Sequence, residues 1–103
     1  MNNSLYAVGI SLLLSAACAH ADETAIAIQS FQFSPAVITV PAGTTVTWVN
    51  HDETAHSVAE KSKAFRSGGL DTNDRYSFTF SKPGTYVYYC TLHPQMTGTI
   101  HVR

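Results

Sequence analysis

A thiol, an imidazole and a thioether recur at intervals of three near the end of this chain. They are Cys90, His93 and Met96, in the run Tyr88-Tyr89-Cys90-Thr91-Leu92-His93-Pro94-Gln95-Met96-Thr97-Gly98. Thiolate and thioether are soft metal donors, and imidazole suits copper and zinc. The run lies between a tyrosine-rich stretch and the closing Thr99-Ile100-His101-Val102. A tight loop is needed there, and a loop of that length can turn all three side chains toward one point. A second imidazole is available upstream, in the Asn50-His51-Asp52-Glu53-Thr54-Ala55-His56-Ser57 segment. Two imidazoles, one thiolate and a weak axial thioether are the donor set of a blue-copper electron-transfer site. Zinc fits the set less well, because methionine is not among its usual ligands.

Taken singly, these residues read blandly. A free cysteine commonly behaves as a small buried hydrophobe, and a methionine as core filler. At ligand spacing, with histidine upstream, they point to a metal instead. His51 reads as a solvated loop residue. His101 alternates with Ile100 and Val102 and so points outward from its strand. Asp52 and Glu53 read as solvated loop residues close enough to colour the site's potential. Copper enzymes need a further metal centre or an open coordination position. No second ligand cluster is visible, and a dinuclear site would need two cysteines in the loop, where only Cys90 stands.

The elements that must hold these donors read as strands. Ala25, Ala27 and Gln29 alternate weakly with Ile26, Ile28 and Ser30. Ala36-Val37-Ile38-Thr39-Val40 is short and β-branched, and Pro41-Ala42-Gly43 is a turn signal. Thr44 to Asn50 is a strong strand, with Val46 and Trp48 on one face. Arg75 to Phe80 alternates cleanly, Ser81-Lys82-Pro83-Gly84 turns the chain, and Thr85 to Cys90 is a further strand. Lys61 to Asp74 is polar and reads as a loop, with room for a single helical turn near Ala64 and Phe65. Trp48, Phe31, Phe33, Phe78 and Phe80 are expected in the core. Tyr88 and Tyr89 point to opposite faces, so only one of them can join it. Short strands with frequent turns make the chain all-β, a sandwich or a barrel.

Length and charge narrow the function classes. A chain of 103 residues allows one small domain, and a formal net charge of -1 gives no basic field for nucleic acid. Leu5 to Ala17 is an uncharged apolar run followed by Ala19-His20-Ala21. That layout is a secretory signal peptide over residues 1–21, cleaved after Ala21, with one domain over 22–103. A competing reading makes Cys18 a lipid-anchor site. The apolar run is short for a membrane anchor, so no span is expected in the mature chain. Export implies an oxidising compartment, where the unpaired Cys90 needs an explanation such as a metal.

On these residues the chain resembles the cupredoxins, the small blue copper proteins, nearest the amicyanin, pseudoazurin and plastocyanin group. The likeness is carried by Phe31-Gln32-Phe33-Ser34-Pro35, Pro41-Ala42-Gly43, Val46-Thr47-Trp48-Val49-Asn50, His56, Phe80, Pro83-Gly84-Thr85-Tyr86, Tyr89-Cys90, His93, Met96 and Gly98. The resemblance implies a small Greek-key β-sandwich that holds one copper ion through His56, Cys90, His93 and Met96. It implies a monomeric periplasmic electron carrier rather than an enzyme. Its partners would be transient redox proteins, with a dehydrogenase donor and a cytochrome acceptor as the expectation. An edge of His93 would reach the surface within an apolar patch that includes Leu92 or Pro94. A copper chaperone or buffer is the competing function. Two departures stand out. Ser57 occupies the place where the family has asparagine, which predicts a looser tie between the ligand loops. The stretch from His56 to Cys90 is also short, which predicts a trimmed sandwich.

Overall fold

The computed structural model describes residues 22–103, and the expected signal peptide and Cys18 lie outside them. Eight strands run in chain order: β1 (Glu23–Gln29), β2 (Gln32–Ser34), β3 (Val37–Val40), β4 (Thr44–Asn50), β5 (Ala59–Glu60), β6 (Arg75–Phe80), β7 (Gly84–Tyr89) and β8 (Thr97–Val102). They form two four-stranded sheets, ordered β2-β1-β4-β6 and β3-β8-β7-β5. β1 with β4 and β3 with β8 are parallel pairs, and the other pairings are antiparallel. The chain passes from one sheet to the other at every connection from β2 to β7. Parallel neighbours cannot be joined by a hairpin, so these crossings are what make the sandwich rather than a meander. The described residues contain no helix, and the expected turn near Ala64 is a hydrogen-bonded turn closed by the Lys63 amide on the Glu60 carbonyl, at 2.9 Å.

Period-two burial builds the core. In β4, Thr44, Val46, Trp48 and Asn50 face inward and the residues between them are half-buried. Ile26 and Ile28 of β1, Phe80 of β6, Tyr88 of β7 and Ile100 and Val102 of β8 meet them. Trp48 lies between Phe65, Tyr76 and Tyr88, with ring centroids 5.5, 5.8 and 5.3 Å away. Burial of this aromatic and aliphatic surface is the main force holding the two sheets together. On the outer face of β4 and β6, the hydroxyls of Thr45 and Thr79 pair at 2.7 Å and those of Thr47 and Ser77 at 2.6 Å. Such cross-strand pairs fix the register.

The same alternation aims the site. Cys90 follows the buried Tyr88 by two residues, so its side chain also points inward, at the end of the sandwich where β7 stops. Asn50 follows Trp48 by two and ends β4 at that same end, facing inward. Its Nδ2 donates to the carbonyls of Thr54 at 3.0 Å and Leu70 at 2.8 Å, and its Oδ1 accepts the Asp52 amide at 2.9 Å. A buried amide satisfied on both ends shapes the loop that carries His56.

Burial pushes the Tyr88 phenol up to about 12, while the Trp48 indole works the other way. The indole N–H lies near the hydroxyl but falls short of a hydrogen bond, and both atoms are buried without a partner.

The 61–74 segment departs from its reading as a polar loop. Phe65 and Leu70 are buried, and Phe65 packs on Phe78 and Phe80 with centroids at 4.9 and 5.4 Å. Two isolated bridges, His56 with Leu70 and Ala59 with Arg66, stitch the segment to the residues after β4. It thus serves as a cover for the sheet opening, and Phe78 beneath it is only half-buried.

Candidate metal centre

His56, Cys90 and His93 converge: one donor atom from each lies within 4.8 Å of the others. Cys90 Sγ is 3.7 Å from His56 Nδ1 and 3.8 Å from His93 Nδ1. Sulfur and nitrogen donors at about 2.3 and 2.05 Å from one metal, 120° apart, would sit about 3.8 Å from each other. The spacing therefore fits a trigonal metal site. His56 and Cys90 are fully buried and His93 is half-buried, so one imidazole of the three donors meets the surface.

Backbone bonds fix each donor. His56 exchanges both backbone bonds with Leu70, at 3.0 and 2.7 Å. The Cys90–Met96 loop closes on itself: the amide of Cys90 donates to Met96, that of His93 to Cys90 and that of Met96 to His93, at 3.1, 3.3 and 2.9 Å. Met96 is buried and packs in the core cluster that also holds Cys90. His51 is exposed and its backbone amide bonds to Ile28, outside the donor group. His101 pairs with the Thr85 hydroxyl at 3.1 Å on the outer face, as its strand alternation implied.

The surrounding bonds orient the side chains. The Ser57 amide donates to Cys90 Sγ at 3.4 Å, which holds the sulfur in place between the imidazoles. His56 Nε2 lies 2.9 Å from Asp52 Oδ2. Donation from Nε2–H to that carboxylate leaves the Nδ1 lone pair free to face Cys90 and fixes the orientation of the ring.

Asp52 corrects the reading of a solvated loop acid. Its carboxylate also accepts the amides of Ser30 at 2.8 Å and Phe31 at 2.9 Å. Desolvation pushes its pKa up, but those two amides and His56 outweigh it and hold the carboxyl below the ordinary aspartate value. A four-residue separation from His56 carries no signal outside a helix, so spacing alone could not reveal the pair.

Phe31 is the second correction. Expected in the core, it is instead 44% exposed, with its ring edge-on to His56 and to His93, centroids 4.9 Å away in both cases. The Phe31–Phe33 alternation misled because the β1–β2 turn intervenes, and only Phe33 is buried.

Ser57 shows why the predicted loosening does not follow from its short side chain. Its Oγ accepts the Thr91 amide at 2.9 Å and pairs with the Thr91 hydroxyl at 2.6 Å, tying the two ligand loops. Ser57→Ala should leave that amide without its partner, at a cost of about 1–3 kcal/mol. Thermal melting of the metal-free protein checks this, and an unchanged midpoint would mean that the tie is idle.

Comparison with known proteins agrees with this geometry. The profile of the cupredoxin-like domain matches residues 4–102. Amicyanin of Paracoccus versutus is 35% identical over 87% of this chain and 72% of its own length. Plastocyanin of Scenedesmus fuscus is 36% identical over 69% of this chain and 86% of its own. Among solved structures, a purple cupredoxin from Nitrosopumilus maritimus superposes with a TM-score of 0.72 at 32% identity, covering 78% of this chain and 99% of that one. A copper(I) form of an amicyanin mutant gives 0.75 at 30% identity, covering 84% and 89%. Two sheets, a buried thiol between two imidazoles and these likenesses agree: the chain belongs to the cupredoxin-like family, whose cofactor is one copper ion.

Proposed function

We propose that this protein is a periplasmic electron carrier that passes single electrons between redox partners through one copper ion held by His56, Cys90, His93 and Met96. The observation that carries the reading is the convergence of Cys90 Sγ on two imidazole Nδ1 atoms at 3.7 and 3.8 Å. Bound copper would supply one-electron redox chemistry. Cys90 would hold the metal as a buried thiolate, its proton displaced by the ion and its sulfur accepting the Ser57 amide. His56 offers Nδ1 because Asp52 occupies Nε2. Met96, buried at the far end of the loop, would lend the copper a thioether sulfur. His93 is half-buried beside Leu92, which is 55% exposed, and the exposed Pro94. That edge is the electron port, and contacts there are small and transient, as redox encounters usually are. A dehydrogenase donor and a cytochrome acceptor suit such a port, and the carrier acts as a monomer.

Export is part of the reading. β1 begins at Glu23, so a chain cut after Ala21 keeps every described strand. The intact mass of the exported protein should correspond to residues 22–103. A lipid-bearing chain starting at Cys18 would contradict that cleavage. The carrier and copper-delivery readings part on retention. Voltammetry of the copper-loaded protein should give a reversible one-electron wave, and the metal should stay bound against a competing chelator. Ready loss to the chelator would favour copper delivery.

A further inference from the structure

The β1–β2 hairpin reverses on two residues, Ser30 and Phe31, inside the Gln29–Gln32 pair. Both have positive φ, 56° and 58°. Two-residue hairpin loops with positive φ at both positions are ordinarily built from Asn-Gly and its relatives. An L side chain there is strained, and a bulky aromatic is an outlier. Phe31 gains no core burial in exchange. Its ring stands over the two imidazoles, and the same residue lines an open recess of about 480 Å³ together with Phe33, Ala36 and Met96. It therefore stands between the solvent of the recess and the two imidazole rings. One carboxylate holds the arrangement. Asp52 receives the Ser30 amide on Oδ1, and on Oδ2 both the Phe31 amide and His56 Nε2, at 2.8, 2.9 and 2.9 Å. Strain without core burial, sustained by a single side chain that also grips a donor residue, marks a functional turn rather than a neutral one.

We propose that Asp52 is a positioning residue that latches the strained Ser30–Phe31 turn to His56, so that Phe31 packs on both imidazoles and limits the water that reaches them. This inference rests on the copper reading of His56, Cys90 and His93.

The test uses Phe31→Ala, Phe31→Gly, Asp52→Asn and the Phe31→Ala/Asp52→Asn double variant, each metal-free and copper-loaded. Alanine and glycine both remove the ring but differ in their tolerance of positive φ. Metal-free Phe31→Gly should therefore melt about 4 °C or more above Phe31→Ala. Uncovering the imidazoles admits water, which favours the more highly charged oxidised site. Phe31→Ala should thus shift the copper(II)-to-copper(I) affinity ratio about tenfold toward copper(II), a fall in potential of about 59 mV for a one-electron couple.

Asparagine offers one acceptor oxygen and an NH₂ group where three N–H donors converge, so it opens the latch while keeping the volume. In that background the Phe31→Ala shift should shrink to less than half, because the cover is already loose. Equal melting of the glycine and alanine variants would overturn the proposal. So would an unchanged potential in Phe31→Ala, or full additivity in the double variant. If Asp52→Asn does not fold, the two Phe31 variants still decide. Failure of the copper reading would look different: the unchanged protein would take up copper without strong colour, while the glycine–alanine melting difference would persist.

Discussion

The Cys90→Ser protein should lose the intense visible colour of its copper form outright and bind copper(I) at least about 100-fold more weakly, beyond the loss typical for a residue that only supports a ligand. Cys90 is fully buried, with its sulfur facing both imidazole Nδ1 atoms. Thiolate is the one soft anionic donor in the cluster, and softness is what selects copper(I). A serine hydroxyl is harder, reaches less far and stays protonated at neutral pH. The fold itself should survive. The new oxygen is buried and stands farther from the Ser57 amide than the sulfur does, so the metal-free protein should lose about 1–3 kcal/mol and still fold. Absorption of the copper-loaded variant and melting of the metal-free variant check the two halves. Retained strong colour would mean that Cys90 is not the thiolate ligand.

Gly98→Ala should be the most damaging small change outside the donors. Gly98 pairs directly with Tyr88 across β7 and β8, and a Cβ at this position would run into the Tyr88 ring. The ring cannot easily step aside. It is fully buried and packs on Phe33, Trp48 and Phe65, with centroids 4.7, 5.3 and 6.3 Å away. Overpacking a rigid core costs about 1–3 kcal/mol, and this site belongs at or above the upper end because the obstacle is an aromatic ring wedged among others. The midpoint of the metal-free protein should fall by about 12 °C or more. Adding Tyr88→Leu should recover part of that loss by clearing the space. A Gly98→Ala protein that melts normally would show that the two strands have room to spare there.

The candidate site was legible in the sequence because three of the proposed donors, Cys90, His93 and Met96, share one short loop at fixed intervals. Strand parity then carries Cys90 inward two positions after Tyr88, as β7 requires. The strong strands were equally plain: Thr44–Asn50 and Arg75–Phe80 appear with the bounds that their alternation suggests. What escaped was set by contacts distant in sequence. Asp52 looks like any loop acid until the β1–β2 turn, more than 20 residues earlier, is folded against it. Phe31 shares a parity with Phe33 on paper, but a two-residue reversal breaks that parity. The 61–74 segment is polar in composition, so burial of Phe65 and Leu70 becomes visible only once the bridges to His56 and Ala59 form. Ser57 looked too short to replace an amide, yet Thr91 comes close enough for a hydroxyl to close the tie.

The most direct test of the central claim is to add copper(II) to the purified protein and record its visible absorption and electron paramagnetic resonance spectra together. Intense blue or green colour with narrow copper hyperfine splitting is the predicted result, because it requires a copper–thiolate bond flanked by the imidazoles of His56 and His93. A pale solution with wide splitting would mean that no such bond forms, and the electron-carrier account would fall.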